Sequence, residues 1–272
     1  ASDVYKRQIF ENEKFQNTGW NPKKVEVDIP EGTWGKAVLY FSAESHGDPY
    51  DRCYSVACQG VELHRGITGF GGRIDSQEDV TQYLRLFKGR VTFQVFLTTY
   101  LGYWLVTVKL ELTPGTPPSP LPKPIPILLW QHIESSEPVT KTVSIDSKGG
   151  KLVLHGTGHS YEEGSEKWAV VKADDVEVMR TLIRRWSPGQ GRVPPYYKDL
   201  DKLTCSRISL TVEGATKYWK ISLAYLDYAP TPPIPWEWII IGVLATIGII
   251  GTVYLVSESL KSPPKPPPRR LI

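Results

Sequence analysis

The chain has 272 residues, 40% of them hydrophobic and 22% charged, with a formal net charge of +3. That near balance calls for no nucleic-acid or acidic partner, and the length is ample for an ordinary globular core. Three cysteines, Cys53, Cys58 and Cys205, permit at most one intramolecular disulfide, and Cys53 and Cys58 stand five apart on a predicted strand. They face opposite sides of it, so no disulfide framework is expected.

In chain order, Ala1 to Gln8 has no apolar h-region. The chain therefore reads as a fragment or processed form whose true start is missing, and no weight is placed on these eight residues as native sequence. Residues 36–41, 90–97 and 104–112 are β-branched and aromatic and partly alternate, which predicts strands. Only 80–87 resembles a helical turn. Short strands at near-regular spacing predict an antiparallel sandwich or jelly roll over residues 1–115.

Residues 116–126 carry so many prolines that a helix or a central strand is excluded, and a stiff extended linker is expected. The strand character returns at 151–155, 168–172, 208–212 and 218–223, predicting a second sandwich over 127–229 beside the first. A Pro-rich spacer, 230–235, follows. Residues 239–256 are then uncharged, and at about 1.5 Å per residue they reach roughly 27 Å, the thickness of a hydrocarbon core.

Trp236 and Trp238 precede that run, and Lys261, Lys265, Arg269 and Arg270 follow it. A membrane helix at 236–256 is predicted, with a basic Pro-rich tail at 257–272 inside the cell. The lipid bilayer is thus an expected partner, in a single-pass type I arrangement at the cell membrane with both sandwiches outside. Gly242, Ala245, Gly248 and Gly251 offer small residues for helix contact, though a spacing of three drifts around the helix.

Two loops carry candidate chemistry. The turn Asp48-Pro49-Tyr50-Asp51-Arg52 lies between hydrophobic strands, where scaffolds often hold functional groups. An acid beside a base is, on spacing alone, more often a local ion pair than a catalytic group. The second loop, from His155 through Gly156-Thr157-Gly158-His159 to Glu162, Glu163, Glu166 and Trp168, is Gly-rich, acidic and aromatic. Crowded carboxylates raise one another's pKa toward a usable acid or base, while the plain alternative is a solvated acidic loop.

His155 and His159 are four apart, but glycines between them break helical presentation and no third His or Cys is near, so no metal is expected. No nucleophile elbow, phosphate loop or CxxC pair is present. Tyr100, Tyr103, Trp104, Trp168, Trp186, Tyr196 and Tyr197 supply flat faces of the kind that stack on sugar rings, although most aromatics of this kind belong to cores and strand faces.

The order of motifs resembles the peptide:N-glycanases of the flavobacterial F type, with a fainter likeness to the plant and fungal A type. The carrying residues are Asp48-Pro49-Tyr50-Asp51-Arg52, then Gly60-Val61-Glu62-Leu63-His64-Arg65-Gly66-Ile67-Thr68, then 79–89 leading into strand 91–97, and finally Gly156-Thr157-Gly158-His159. The resemblance spans both predicted sandwiches. It implies two eight-stranded jelly rolls side by side with a cleft between them, no cofactor, and hydrolysis of the amide joining asparagine to the first N-acetylglucosamine of an N-glycosylated protein or peptide.

In the resemblance Asp51 takes the place of the principal acid, and Arg52, Asp48, Tyr50 and His159 become substrate-binding candidates. The family's second-domain glutamate maps to Glu163 when counted back from strand 168–172, and to Glu166 by adjacency to tryptophan. Its auxiliary glutamate corresponds to Thr98. That replacement and the shortened loop favour the rival reading, a non-catalytic glycan-binding or surface-structural protein on the same fold.

Overall fold

The computed structural model describes residues 4–133, 136–157, 167–183, 191–214 and 219–228. Chain contacts divide the protein at residue 229, and every described residue lies in the first compact unit. Among the described residues the fold is all β apart from one 3-10 turn at Thr81–Leu86.

The first eight strands are β1 (Tyr5–Phe15), β2 (Lys23–Ile29), β3 (Trp34–His46), β4 (Cys53–Cys58), β5 (Val61–Ile67), β6 (Arg73–Asp79), β7 (Gly89–Leu97) and β8 (Tyr103–Pro114). They form one sheet ordered β1-β8-β3-β6 and another containing β5-β4-β7-β2. The later strands are β9 (Lys123–Ile133), β10 (Val139–Ser147), β11 (Gly150–Thr157), β12 (Lys167–Ala173), β13 (Val176–Ile183), β14 (Gly191–Arg192), β15 (Tyr196–Leu200), β16 (Leu203–Glu213) and β17 (Trp219–Asp227). With β14 set aside, their sheets β15-β11-β17-β9 and β10-β16-β12-β13 repeat the same order, the jelly-roll arrangement of two interlocked Greek keys.

Alternation of buried and open positions along β3 and β8 is what one core-facing side per strand requires. The strands β4 and β5 differ, being buried along their whole length. One of their faces joins the first core through Tyr54, Val56, Cys58, Val61 and Leu63. The other meets the second sandwich, where Trp130 donates its indole N–H to Ser55 Oγ at 3.0 Å and packs edge-on against Phe96, with ring centroids 4.9 Å apart. Cys53 and Cys58 accordingly fall on opposite faces, and all three cysteines are free and buried.

Residues 5–8 lie in β1 and pair in register with residues 109–112 of β8, within the predicted first sandwich. Two features go beyond the sequence reading. The Pro-rich stretch 116–126 gives way to strand at Lys123, and β9 is an edge strand, where a missing N–H can face away from the ladder. The two sandwiches also share a strand: β14, from the second half of the chain, pairs with β5 of the first. The predicted membrane segment 236–256 and tail 257–272 lie outside the described residues, among which no helix is long and apolar enough to cross a membrane.

Candidate active site

The turn from Asp48 to Arg52 leaves the end of β3 and enters β4, a strand sealed between the two sandwiches. Arg52 sets its form. Its Nε and Nη2 each donate to the Asp48 carboxylate at 2.7 Å, a forked pair buried at both ends. Trp104 adds its indole N–H at 3.2 Å, and the Tyr50 amide donates at 3.2 Å. On the other side, the Arg52 amide donates to Thr68 Oγ1 at 2.8 Å, and the Thr68 amide returns a bond to the Arg52 carbonyl at 2.9 Å.

The sequence reading paired Arg52 with Asp51. The structure pairs it with Asp48, because a five-residue turn brings positions 48 and 52 onto the same buried side. Asp48 is only 1% exposed, and both its oxygens accept hydrogen bonds from within the protein, which hold the turn in place. Most of the Arg52 guanidinium is likewise turned inward, with one remaining nitrogen 3.4 Å from the Asp51 carbonyl. Asp51 itself is half-buried, and among the described residues no hydrogen bond or ion pair reaches its carboxylate.

Tyr50 and Tyr100 flank this point, each about half exposed, with ring centroids 5.3 and 5.7 Å from the Arg52 guanidinium carbon. Trp104 is a core residue, whereas Trp168 and Tyr197 remain exposed. Gly102 lets the neighbouring loop approach: its φ is +57°, and a Cβ there would lie 2.5 Å from the Gly47 carbonyl carbon and 2.6 Å from the Asp48 nitrogen. Thr98 is fully buried, and its hydroxyl and amide both point to the Cys53 carbonyl, at 3.4 and 3.1 Å. It holds β7 to the start of β4 and offers no acid.

Just past Asp51 lies a polar cluster in which the sequence reading assigned no roles. Arg65 forks onto Glu62 at 2.6 and 2.7 Å and donates across to Thr157 Oγ1 at 3.0 Å. Thr157 Oγ1 in turn lies 3.2 Å from Cys53 Sγ. Burial alone raises the Glu62 carboxyl, but Arg65, then His155, together with hydrogen bonds from Arg65 and Ser222, overcome it and hold the group at about 2. Burial likewise drives His155 down to about 4, only partly opposed by Glu62, whose carboxylate is 3.8 Å from its Nδ1. Burial also raises the Cys53 thiol.

Glu163, Glu166 and His159 lie outside the described residues. The last described residue before them is Thr157, whose side chain touches Cys53, two positions beyond Asp51. No group of three metal-ligating side chains occurs among the described residues. A cavity of about 640 Å³ lined by Trp34, Leu84, Phe87 and Leu121 lies at the far end of β3, roughly 40 Å along the strand from the Asp48 turn, and adds nothing to it.

The Asp48–Arg52 lock is a pairing that the motif order did not give, and an independent comparison decides the family. The profile of the family described as peptide N-acetyl-beta-D-glucosaminyl asparaginase amidase A matches residues 2–184. The chain belongs to this family.

Solved structures agree in fold. PNGF-II superposes with a TM-score of 0.69 at 16% identity, covering 84% of this chain and 65% of PNGF-II. The crystal structure of peptide-N(4)-(N-acetyl-beta-D-glucosaminyl) asparagine amidase gives 0.65 at 14% identity, covering 85% and 97%. PNGase F from Flavobacterium meningosepticum, described as a glycosylasparaginase, gives 0.64 at 14% identity with the same coverage. The chain thus spans 65% of the length of PNGF-II. No curated protein sequence matches.

Proposed function

We propose that the chain is an amidase that hydrolyses the bond between asparagine and the first N-acetylglucosamine of N-glycosylated proteins or peptides. The observation that carries this reading is the contrast within one turn. Asp48 and Arg52 neutralise each other in a buried fork, while Asp51, held between them, keeps a half-buried carboxylate with no bonded partner among the described residues. A carboxylate so placed can take a proton from water as the water oxygen attacks the amide carbon. The carbon–nitrogen bond then breaks, the nitrogen leaves protonated as a glycosylamine, and asparagine becomes aspartate.

In this proposal Glu163 or Glu166 assists from the second domain, Tyr50 and Tyr100 offer faces to the first sugar, and Arg52 with Asp48 holds the turn. The residues 236–256 anchor the protein in a bilayer, with the amidase outside the cell and the tail inside. The uncharged run 239–256, its flanking tryptophans and the basic tail support that part of the reading. Alkaline carbonate extraction of expressing cells should leave the chain in the membrane pellet; release into the supernatant would remove the anchor from the proposal.

The test of activity is incubation of the full chain with a denatured N-glycoprotein. Release of intact glycan is expected from the wild type and not from Asp51→Asn. One observation favours the rival reading of a glycan-binding protein without turnover, namely the buried Thr98 where the resemblance expects a glutamate. Retention on immobilised glycan with no release by the wild type would establish that rival instead.

A further inference from the structure

Several contacts across the seam beside Asp51 meet at one side chain, Arg65 of β5, which is fully buried. Two of its nitrogens are taken by Glu62 in the same strand. The third, Nη1, crosses into the second sandwich and donates both to Thr157 Oγ1 at the end of β11 and to the Lys220 carbonyl in β17 at 2.5 Å. Thr157 Oγ1 meets Cys53 Sγ at the opening of β4. One planar guanidinium therefore fixes the distances between β5, β11 and β17, and through Thr157 reaches the strand that Asp51 enters.

Burial of such a pair is poor evidence of a stabilising role, because well-packed apolar residues commonly serve stability as well. What apolar residues cannot do is hold three strands at hydrogen-bond distances in one fixed direction. The fork on Glu62 orients the guanidinium so that Nη1 points across the seam. Lysine, with a single flexible ammonium, cannot grip both Glu62 oxygens and reach Thr157 and Lys220 together.

We infer that Arg65 is a positioning residue for the reaction: through Thr157 it sets where the second sandwich sits against the Asp51 turn. This inference rests on the amidase reading above. Misplacement of reacting groups by about 1 Å costs on the order of a hundredfold in rate, so a seam residue can govern turnover without touching substrate.

The test uses the full chain and a denatured N-glycoprotein, with kcat and KM measured on protein shown to be folded by thermal denaturation. Arg65→Lys is expected to lower kcat by roughly 10- to 100-fold while KM moves less than about threefold. Thr157→Val, which removes one hydroxyl, is expected to lower kcat roughly tenfold at nearly unchanged melting temperature. The double replacement Glu62→Leu with Arg65→Met, which leaves no unpaired charge of the fork, is expected to fold and still turn over slowly.

Wild-type kcat in any of these folded variants overturns the inference. Should Arg65→Lys fail to fold, Thr157→Val decides. If the wild type releases no glycan, the amidase reading falls and takes this inference with it. An active wild type with unaffected variants sinks Arg65 alone.

Discussion

Arg52 and Asp48 are joined by two 2.7 Å hydrogen bonds across a buried turn, and Asp51, adjacent in sequence to Arg52, stands outside the pair. The first prediction follows from that division. Removing one partner strands a buried charge, at a cost of about 3–5 kcal/mol, so Asp48→Ala should markedly lower the melting temperature. Asp51→Asn should change stability by less than about 1 kcal/mol yet reduce glycan release by at least about a hundredfold. Equal stability losses at the two positions would contradict this assignment of roles.

A second prediction concerns acid. His155 protonates at about 4 in the fold against 6.5 when exposed, so between these values the unfolded chain binds the extra proton and stability falls as pH falls. Glu62, held at about 2 against an ordinary 4.5, contributes stability that is complete above 4.5 and is lost as pH drops toward 2. Melting temperature should therefore decline in two stages on acidification. His155→Gln should flatten the first, which is worth at most about 3 kcal/mol.

The third prediction is steric. Gly102→Ala places a methyl group against the Gly47 and Asp48 backbone at a positive φ, with strain of about 1–3 kcal/mol. The turn must shift to relieve it. Turnover should fall more than stability does, as seen by comparing kcat with the denaturation midpoint.

Thiol chemistry supplies a fourth. Burial raises the pKa of Cys53, Cys58 and Cys205, and a protonated buried thiol is inert. Ellman's reagent should find almost no reactive thiol in the native protein over minutes and three after unfolding in denaturant.

Much of the fold is legible in the sequence because sandwich cores impose strong patterns. The predicted strands at 36–41, 90–97 and 104–112 fall inside β3, β7 and β8, and 151–155, 168–172 and 208–212 inside β11, β12 and β16. The edge strands were harder. Arg-Ile-Asp-Ser-Gln-Glu-Asp in β6 has the charged surface that protects a sheet edge, and this erases the apolar signal a strand prediction relies on.

At the site, residue types pointed to the turn but not to its pairing, since the sequence shows Arg52 next to Asp51 and not the bend that carries it to Asp48. The Arg65 cluster left less trace. Its members come from positions 62–65, 155–157 and 220–222, and the β4–β5 ladder slips register between Val56 and Ala57, so no periodicity brings them together.

The two-residue strand β14 limits how the molecule can be dissected. It covers the outer edge of β5, and its Arg192 is ion-paired to Glu78 of β6. Cleaving the chain in the proline stretch would strip that cover and leave a bare row of amide and carbonyl groups on the N-terminal piece. Such a piece should self-associate when expressed by itself, and the halves should recover solubility when produced together.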